Sequence, residues 1–175
     1  LTTNSKLLNI QTIKTNSSGS QLDLTNQSED FTIEVGAGTD NIKGGSGADT
    51  IKINSAGQGD ADTLDGGAGT SDILQLSAGS HSFTDNSKLA NVETIKGHAS
   101  SATTVVLTGQ LETLKVDGGS AGDTITGGNG DDIITGGGGD DIIAGGAGDD
   151  SLTGNADNDT FKVDGGTDTI TDLAT

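Results

Sequence analysis

The sequence predicts an all-β protein in which short parallel strands stack above one another as a solenoid. Three observations support this prediction. A nine-residue pattern repeats along the chain, most regularly from residue 118 to residue 171. Each copy begins with a glycine-containing segment that ends in Asp and favours a turn, and it closes on a tripeptide with one apolar residue at its centre. No segment has the apolar period of a helix of useful length.

The repeat is clearest as a row of evenly spaced aspartates in the second half of the chain. Each of these aspartates lies nine residues after the last, and an apolar residue follows each one two positions later. The aspartates are Asp123, Asp132, Asp141, Asp150, Asp159 and Asp168, and the apolar residues are Ile125, Ile134, Ile143, Leu152, Phe161 and Ile170.

A second group of repeats lies upstream. Residues 35–43 and 44–52 have the same spacing, whereas the copies at 56–65 and 66–75 each have one extra residue before the aspartate. Because the extra residue changes the turn, the pattern alone leaves open whether the last two aspartates act as the others do. The upstream aspartates are Asp40, Asp49, Asp62 and Asp72.

A longer repeat of about 82 residues consists of an alternating apolar segment followed by a block of glycine–aspartate repeats. It is recognised because KLLNIQTIK (6–14) resembles KLANVETIK (88–96). The alternating apolar segments suit half-buried strands and are predicted to continue the solenoid as metal-free coils. Separate Ig-like modules fit less well, because too few strands are available. We therefore predict two units within a larger protein: 1–79 (strand segment 1–34, repeat block 35–78) and 80–175 (strand segment 80–117, repeat block 118–175).

The nine-residue period predicts how the aspartates lie in space. A six-residue turn and a three-residue strand, taken twice, make one coil of 18 residues. Aspartates 18 residues apart then stack along one edge of the solenoid, and the intervening ones stack along the other. One edge carries Asp123, Asp141 and Asp159, and the other carries Asp132, Asp150 and Asp168.

Stacked carboxylates call for a cation. They would lie about 4.8 Å apart and repel one another unless a positive charge sits between them. The available ligands are carboxylate and turn-carbonyl oxygens, which suit Ca²⁺ better than Zn²⁺ or Mg²⁺. With a net charge of −18 and 2% aromatic residues, the metal-free chain is predicted to be disordered. Calcium binding and folding would then be one event.

The same composition argues against several functions. An acidic chain without a basic stripe does not suit nucleic acid. No apolar run approaches the roughly 18 residues that span a bilayer, so membrane insertion is not expected. No catalytic motif is recognisable, and we expect no enzyme. His81 and His98 fall outside the repeats and are predicted to be solvent-exposed loop residues.

The nonapeptides resemble the Ca²⁺-binding repeat G-G-x-G-x-D-x-U-x of the RTX (repeats-in-toxin) proteins. GGSGADTIK, GGNGDDIIT, GGGGDDIIA and GGAGDDSLT match it at every fixed position. GNADNDTFK departs from it, with Asn155 and Asp157 where glycine is expected. The resemblance implies a right-handed parallel β-roll, in which calcium lies between the turns of repeats n and n+2.

The resemblance also implies the ligands. The sixth-position aspartates would bind through their side chains. The fifth-position Asp131, Asp140 and Asp149 could be further ligands, but we expect them to face solvent and only to attract calcium. The implied side-chain ligands are Asp40, Asp49, Asp62, Asp72, Asp123, Asp132, Asp141, Asp150, Asp159 and Asp168. The implied carbonyl ligands are those of Gly36, Gly38, Gly44, Gly45, Gly47, Gly118, Gly119, Gly127, Gly128, Gly130, Gly136, Gly137, Gly139, Gly145, Gly146 and Gly148.

The function expected from this resemblance is structural. RTX proteins are exported by type I secretion in Gram-negative bacteria, and the KLANVETIK-type segments resemble those of bacterial surface-layer (S-layer) proteins. We expect a calcium-dependent segment of a secreted S-layer protein that associates with itself in a surface lattice. Two alternatives stay open: the folding and secretion module of an exported hydrolase or toxin, and the calcium-stiffened stalk of an RTX adhesin.

Overall fold

The computed structural model describes residues 7–56 and 61–172, and all regular structure in these ranges is β-strand. No helix that could span a membrane occurs in the described part of the chain. Three parts of the predicted units lie outside the described residues: 1–6 in the first strand segment, 57–60 in the third repeat and 173–175 in the last block.

The strands are two to five residues long, as expected from a repeat that gives each strand only a tripeptide. In chain order they are β1 (Thr12–Lys14), β2 (Gln21–Asp23), β3 (Thr32–Val35), β4 (Asn41–Lys43), β5 (Thr50–Ile53), β6 (Thr63–Asp65), β7 (Ile73–Gln75), β8 (Gly79–Ser82), β9 (Leu89–Ala90), β10 (Thr94–Lys96), β11 (Thr103–Val106), β12 (Lys115–Gly119), β13 (Thr124–Thr126), β14 (Ile133–Gly137), β15 (Ile142–Ala144), β16 (Ser151–Asn155), β17 (Thr160–Lys162) and β18 (Thr169–Asp172).

Parallel pairing of these strands builds a solenoid. One sheet has nine strands in the order β1-β3-β5-β7-β10-β12-β14-β16-β18, which corresponds to about eight turns. The opposite face has two sheets, β2-β4-β6-β9 and β8-β11-β13-β15-β17. The predicted all-β parallel solenoid is therefore confirmed, and the alternating segments continue it as further coils.

On the opposite face, the four-stranded sheet ends and the five-stranded sheet begins within one coil. Between β7 and β10 the chain forms both β8, which pairs with β11, and β9, which pairs with β6. The nine-stranded sheet continues past this point because β7 pairs with β10. The predicted boundary between residues 79 and 80 falls inside this coil, and the division into two units stays a prediction.

The core is a stack of inward apolar residues: most strands contribute one, β3 and β5 contribute a second (Val35 and Ile53), and residues beside the strands, such as Phe83, add to it. Burying each aliphatic side chain in such a stack contributes about 1.5–3 kcal/mol relative to leaving it exposed. Phe161 packs at the half-buried end of the core, as its place in the repeat predicts. Along the nine-stranded sheet the stack consists of Ile13, Ile33, Ile51, Leu74, Ile95, Val116, Ile134, Leu152 and Ile170.

The prediction for the two histidines is wrong for His81 and holds only in part for His98. His81 is an inward residue of β8, 1% exposed and in register with Val105. Its Nε2 lies 3.0 Å from the Ser77 carbonyl oxygen, which supplies a polar partner inside the core. His98 is half-buried in the turn after β10, where its Nδ1 accepts the Ser100 backbone N–H at 3.3 Å. Because serines flank His81, the sequence has no apolar alternation there that would have indicated its burial.

Candidate metal centre

The ten predicted aspartates share one structural position, immediately before a strand. Asp132, for example, is followed directly by β14, and Asp141 by β15. The chain enters each strand from a glycine-rich turn, and the carboxylate lies beneath that turn. The eight buried members, each at most 2% exposed, are Asp40, Asp49, Asp62, Asp72, Asp123, Asp132, Asp141 and Asp150. Asp159 and Asp168, in the last coils, are half-buried.

Hydrogen bonds join these aspartates into ladders along the edges of the solenoid. The Asp123 backbone N–H donates to Oδ1 of Asp141 at 2.6 Å, and the Asp141 N–H donates to Asp159 at 2.9 Å. On the other edge, the Asp132 N–H donates to Oδ1 of Asp150 at 2.8 Å. Each of these bonds connects residues 18 apart, so the aspartates stack in the two rows that the period predicts.

Asp62 and Asp72, which the sequence left open, occupy the same position as the regular aspartates. The Asp40 N–H donates to Oδ1 of Asp62 at 2.8 Å, and the Asp49 N–H donates to Oδ1 of Asp72 at 2.7 Å. These partners are 22 and 23 residues apart. The longer coils therefore absorb their extra residues without moving the aspartate out of the ladder.

The second carboxylate oxygen is the unusual feature of these ladders. In Asp49 and Asp132, Oδ2 accepts a backbone N–H from Gly45 and Gly128 at 2.8 Å. In the other members this oxygen is buried and has no hydrogen-bond partner. Burying an anionic oxygen without a partner is costly, so such atoms indicate a position suited to a cation. They belong to Asp40 (both oxygens), Asp62, Asp72, Asp123, Asp141, Asp150, Asp159 and Asp168.

The first glycine of each turn leaves space beside this oxygen. A Cβ on Gly127 would meet the Gly145 carbonyl oxygen of the next coil and, at 2.7 Å, Oδ2 of Asp132. The first-position glycines Gly118 and Gly44 border the same kind of space. A carboxylate oxygen and a backbone carbonyl thus converge where a side chain is absent.

These oxygens fit calcium. Ca²⁺ accepts carboxylate and carbonyl oxygens in irregular geometry, and oxygens of both kinds lie nearest the position beside Gly127. Among residues 7–56 and 61–172, no three His, Asp or Glu side chains come together as a metal-binding group. An ion in these turns would therefore take several of its ligands from the backbone, as the sequence analysis expected.

Comparison with known proteins agrees with this chemistry. A family model of the RTX calcium-binding nonapeptide repeat, in four copies, matches residues 32–52, 56–79, 117–152 and 138–170. These matches span more than half of the chain and include all ten aspartates. The chain belongs to the RTX calcium-binding repeat family. No curated protein and no solved structure gives a significant match.

Membership of the RTX family has two direct consequences. RTX repeats bind calcium in parallel β-rolls of this kind, so calcium is the ion that the fold and the ligands both indicate. RTX proteins are typically secreted, which supports an extracellular location for this chain.

The glycine carbonyls of the RTX turns are not equivalent. Those at the second position accept a backbone N–H from the next coil, for example Gly128 from Ala147 at 3.0 Å and Gly137 from Ala156 at 3.0 Å. First-position carbonyls such as that of Gly145 instead border the space beside a carboxylate. The second-position carbonyls therefore hold the coils together, whereas the first-position carbonyls are the better placed to bind an ion.

Burial raises the pKa of the carboxylates in the RTX turns. The pKa of Asp141 rises to about 6 because burial disfavours the charged form, and the nearby carboxylates of Asp123 and Asp159 add to the shift. Burial likewise raises the pKa of Asp72 to about 6. The same cause raises the pKa of Asp49, Asp62, Asp123, Asp132 and Asp150. A bound cation would favour the charged form that burial disfavours.

The fifth-position aspartates have a role that sequence reasoning missed. Asp131, Asp140 and Asp149 are exposed, as predicted. However, Oδ1 of Asp140 accepts the Asn158 backbone N–H at 2.9 Å, and Oδ1 of Asp149 accepts the Thr167 N–H at 2.7 Å. These carboxylates therefore cap the turn of the following coil. The recurrence of paired aspartates was the signal that could have suggested two different functions.

The most divergent RTX repeat keeps the turn conformation. Asn155 and Asp157 replace glycine, and both adopt positive φ, at 76° and 78°. Gly146 and Gly148, at the same positions one repeat earlier, have φ of 105° and 113°. Asparagine and aspartate tolerate this left-handed region better than other side chains, so the substitutions preserve the turn.

Proposed function

We propose that this chain is a non-enzymatic structural segment of a secreted cell-surface protein, and that calcium binding makes it fold. The observation that carries the proposal is the row of buried Oδ2 atoms without a hydrogen-bond partner. A thin core of one or two inward residues per strand would have to offset their burial in the absence of metal. Calcium removes that cost, cancels part of the negative charge and connects successive coils.

Dependence on calcium suits export through a type I secretion system. Calcium is scarce in the bacterial cytosol, where the acidic chain would stay unfolded, and abundant outside. An unfolded chain can pass a narrow secretion channel and then fold on arrival. This proposal places the protein outside a Gram-negative bacterium.

The most specific version is an S-layer protein whose calcium also promotes assembly of the lattice. Its support is the resemblance of KLLNIQTIK and KLANVETIK to segments of bacterial surface-layer proteins. The second of these segments forms β9 and β10 and connects the two blocks of repeats within the continuous nine-stranded sheet. A continuous solenoid of this kind would give a rigid element of constant width for a lattice.

Circular dichroism in millimolar calcium and in excess chelator tests the calcium dependence. We expect β-structure with calcium and a largely disordered chain without it. Equal β content in both conditions would contradict the proposal, because the solenoid would then fold without the ion.

Negative-stain microscopy of the full-length protein in calcium tests the surface role. An ordered two-dimensional lattice would support the S-layer version. Isolated rods would favour the stalk of an adhesin. A hydrolase or toxin activity in the full-length protein would instead identify the chain as a folding and secretion module.

A further inference from the structure

Glu93 lies in an aspartate ladder although it is outside the nonapeptide repeats. It comes immediately before β10, just as the ten aspartates come before their strands. Its Oε2 accepts the Asp72 backbone N–H at 2.7 Å, the distance at which Oδ1 of Asp72 accepts the Asp49 N–H. Asp49, Asp72 and Glu93 therefore occupy equivalent positions in three successive coils.

The turn beside Asp72 has the same oxygen-lined space as the regular repeats. Asp72 is 1% exposed, and its Oδ2 has no hydrogen-bond partner. A Cβ on Gly66 would meet the Asn91 carbonyl oxygen and, at 2.9 Å, this Oδ2. One coil earlier, a Cβ on Gly44 would meet the Gly66 carbonyl oxygen and Oδ2 of Asp49. The Asn91 carbonyl thus replaces the carbonyl of a first-position glycine.

The turn at Asn91 is shorter than a repeat turn, with only residues 91–93 between β9 and β10, but it keeps the first hydrogen bond of that turn. The Gly66 N–H donates to the Ala90 carbonyl at 2.9 Å, as the Gly44 N–H donates to the Asp65 carbonyl at 2.8 Å. Asn91 adopts a φ of 51°, and its side-chain Nδ2 donates to Oδ1 of Asp65 at 2.7 Å. This hydrogen bond fixes the turn that presents the Asn91 carbonyl.

The surrounding charge also favours a cation here. The carboxylates of Asp49, Glu93 and Asp65 all lie near enough to Asp72 to act on it electrostatically. The opposite edge of the solenoid differs. There the charged group of the next coil that acts on Asp62 is the Lys88 ammonium and not a carboxylate. The row of carboxylates therefore continues along one edge of this coil, whereas on the other edge a lysine follows the last carboxylate.

We propose that Asp72, Glu93 and the Asn91 carbonyl form an additional calcium site. The site extends the ladder by one coil into the segment 80–117, which the sequence predicts to be metal-free. The inference rests on the calcium binding proposed above. It adds a glutamate and a non-repeat turn to the ligands of the nonapeptides.

The substitution Glu93→Gln separates a metal ligand from a simple backbone cap. The glutamine amide oxygen can still accept the Asp72 N–H, but the negative charge is lost. We expect one calcium ion fewer per chain by native mass spectrometry, or one site weakened at least about tenfold by isothermal titration calorimetry. Glu112→Gln is the matched control, since Glu112 is an exposed glutamate in the same segment and should leave the ion count unchanged.

The substitution Glu93→Asp provides the rescue. It keeps the charge and restores the residue type found in the other ladder positions, so the full ion count is expected. Circular dichroism in saturating calcium should show the same β content for all three variants and the wild type. An unchanged ion count with unchanged site affinities in Glu93→Gln, or an equal loss in Glu93→Asp, would overturn this site while leaving calcium-dependent folding intact. A wild-type chain that binds no calcium would instead overturn the proposed function.

Discussion

Asp131 and Asp132 are neighbours in the chain, but Asp132 is hydrogen-bonded to the preceding coil and Asp131 to the following coil. Oδ1 of Asp132 accepts the Leu114 backbone N–H from the preceding coil at 2.8 Å. Oδ1 of Asp131 accepts the Asp149 N–H from the following coil at 2.9 Å. One carboxylate is buried and the other is exposed. The pair therefore combines a candidate calcium ligand with a connection between coils that needs no metal.

The pair Asp140 and Asp141 allows these two roles to be separated. Asp141→Ala removes a buried carboxylate, so we expect fewer bound calcium ions and a higher calcium concentration at the folding midpoint. Asp140→Ala removes only an exposed cap on the Asn158 N–H, at a cost of at most about 1 kcal/mol. Calcium titration followed by circular dichroism, with urea unfolding in saturating calcium, measures both effects. Loss of calcium ions in Asp140→Ala would contradict this division of roles.

The stability of the metal-free chain should depend on pH. The pKa values of Asp72 and Asp141 are raised to about 6 in the fold from the usual 3.8, so protonation favours the folded state. This contribution is complete below pH about 4 and is lost as the pH rises from about 4 to about 6. We expect more β-structure in metal-free buffer at acidic pH than at pH about 7. A β content that increases with pH without calcium would contradict the burial of these carboxylates.

Calcium and protons should compete for the same carboxylates in the folded chain. Because the protonated form of Asp141 cannot supply an anionic ligand, the affinity of the folded chain for calcium should fall as the pH falls below about 6. Calcium that binds to a chain already folded at about pH 5, as judged by circular dichroism, should therefore release protons, which isothermal titration calorimetry in two buffers of different ionisation enthalpy measures. Binding without proton release at that pH would show that the titrating carboxylates do not bind the ion.

The space beside the first glycine of a turn can be tested by filling it. The methyl group in Gly127→Ala would collide with the Gly145 carbonyl and Oδ2 of Asp132. We expect loss of one calcium ion and a destabilisation of about 1–3 kcal/mol in urea unfolding. Gly138→Ala is the control, because its Cβ would lie no closer than 3.6 Å to Ser120 and its φ is outside the left-handed region. Similar behaviour of the two variants would exclude a specific site beside Gly127.

The divergent repeat offers a stabilising substitution. Asn155 has a φ of 76°, which costs a residue with a Cβ more than it costs glycine. We expect Asn155→Gly to raise the free energy of unfolding by about 0.5–1 kcal/mol and Asn155→Ala to lower it by a similar amount. Urea unfolding in saturating calcium compares the two variants. A greater stability of the alanine variant would show that the left-handed turn is not required.

Strict repetition explains why so much of this fold could be predicted. A period of nine with one apolar residue per repeat permits few structures other than stacked short strands. An 18-residue coil then assigns Asp132 and Asp150 to one ladder and Asp141 to the other, and the hydrogen bonds between residues 18 apart show this arrangement. Oxygen-donor chemistry follows from the residue types alone.

Where the period is interrupted, only the tertiary structure could decide. Asp62 and Asp72 stay in the ladders because strand pairing fixes the register, while the extra residues are accommodated elsewhere in coils of 22 and 23 residues. Glu93 joins a ladder, and His81 enters the core, through neighbours in the adjacent coils that no sequence spacing reveals. The sequence by itself determined the repeating turn, the inward residue and the ligand chemistry, since these are local. The structure decided which irregular residues share those positions, because parallel pairing aligns coils in space whatever their length in the chain.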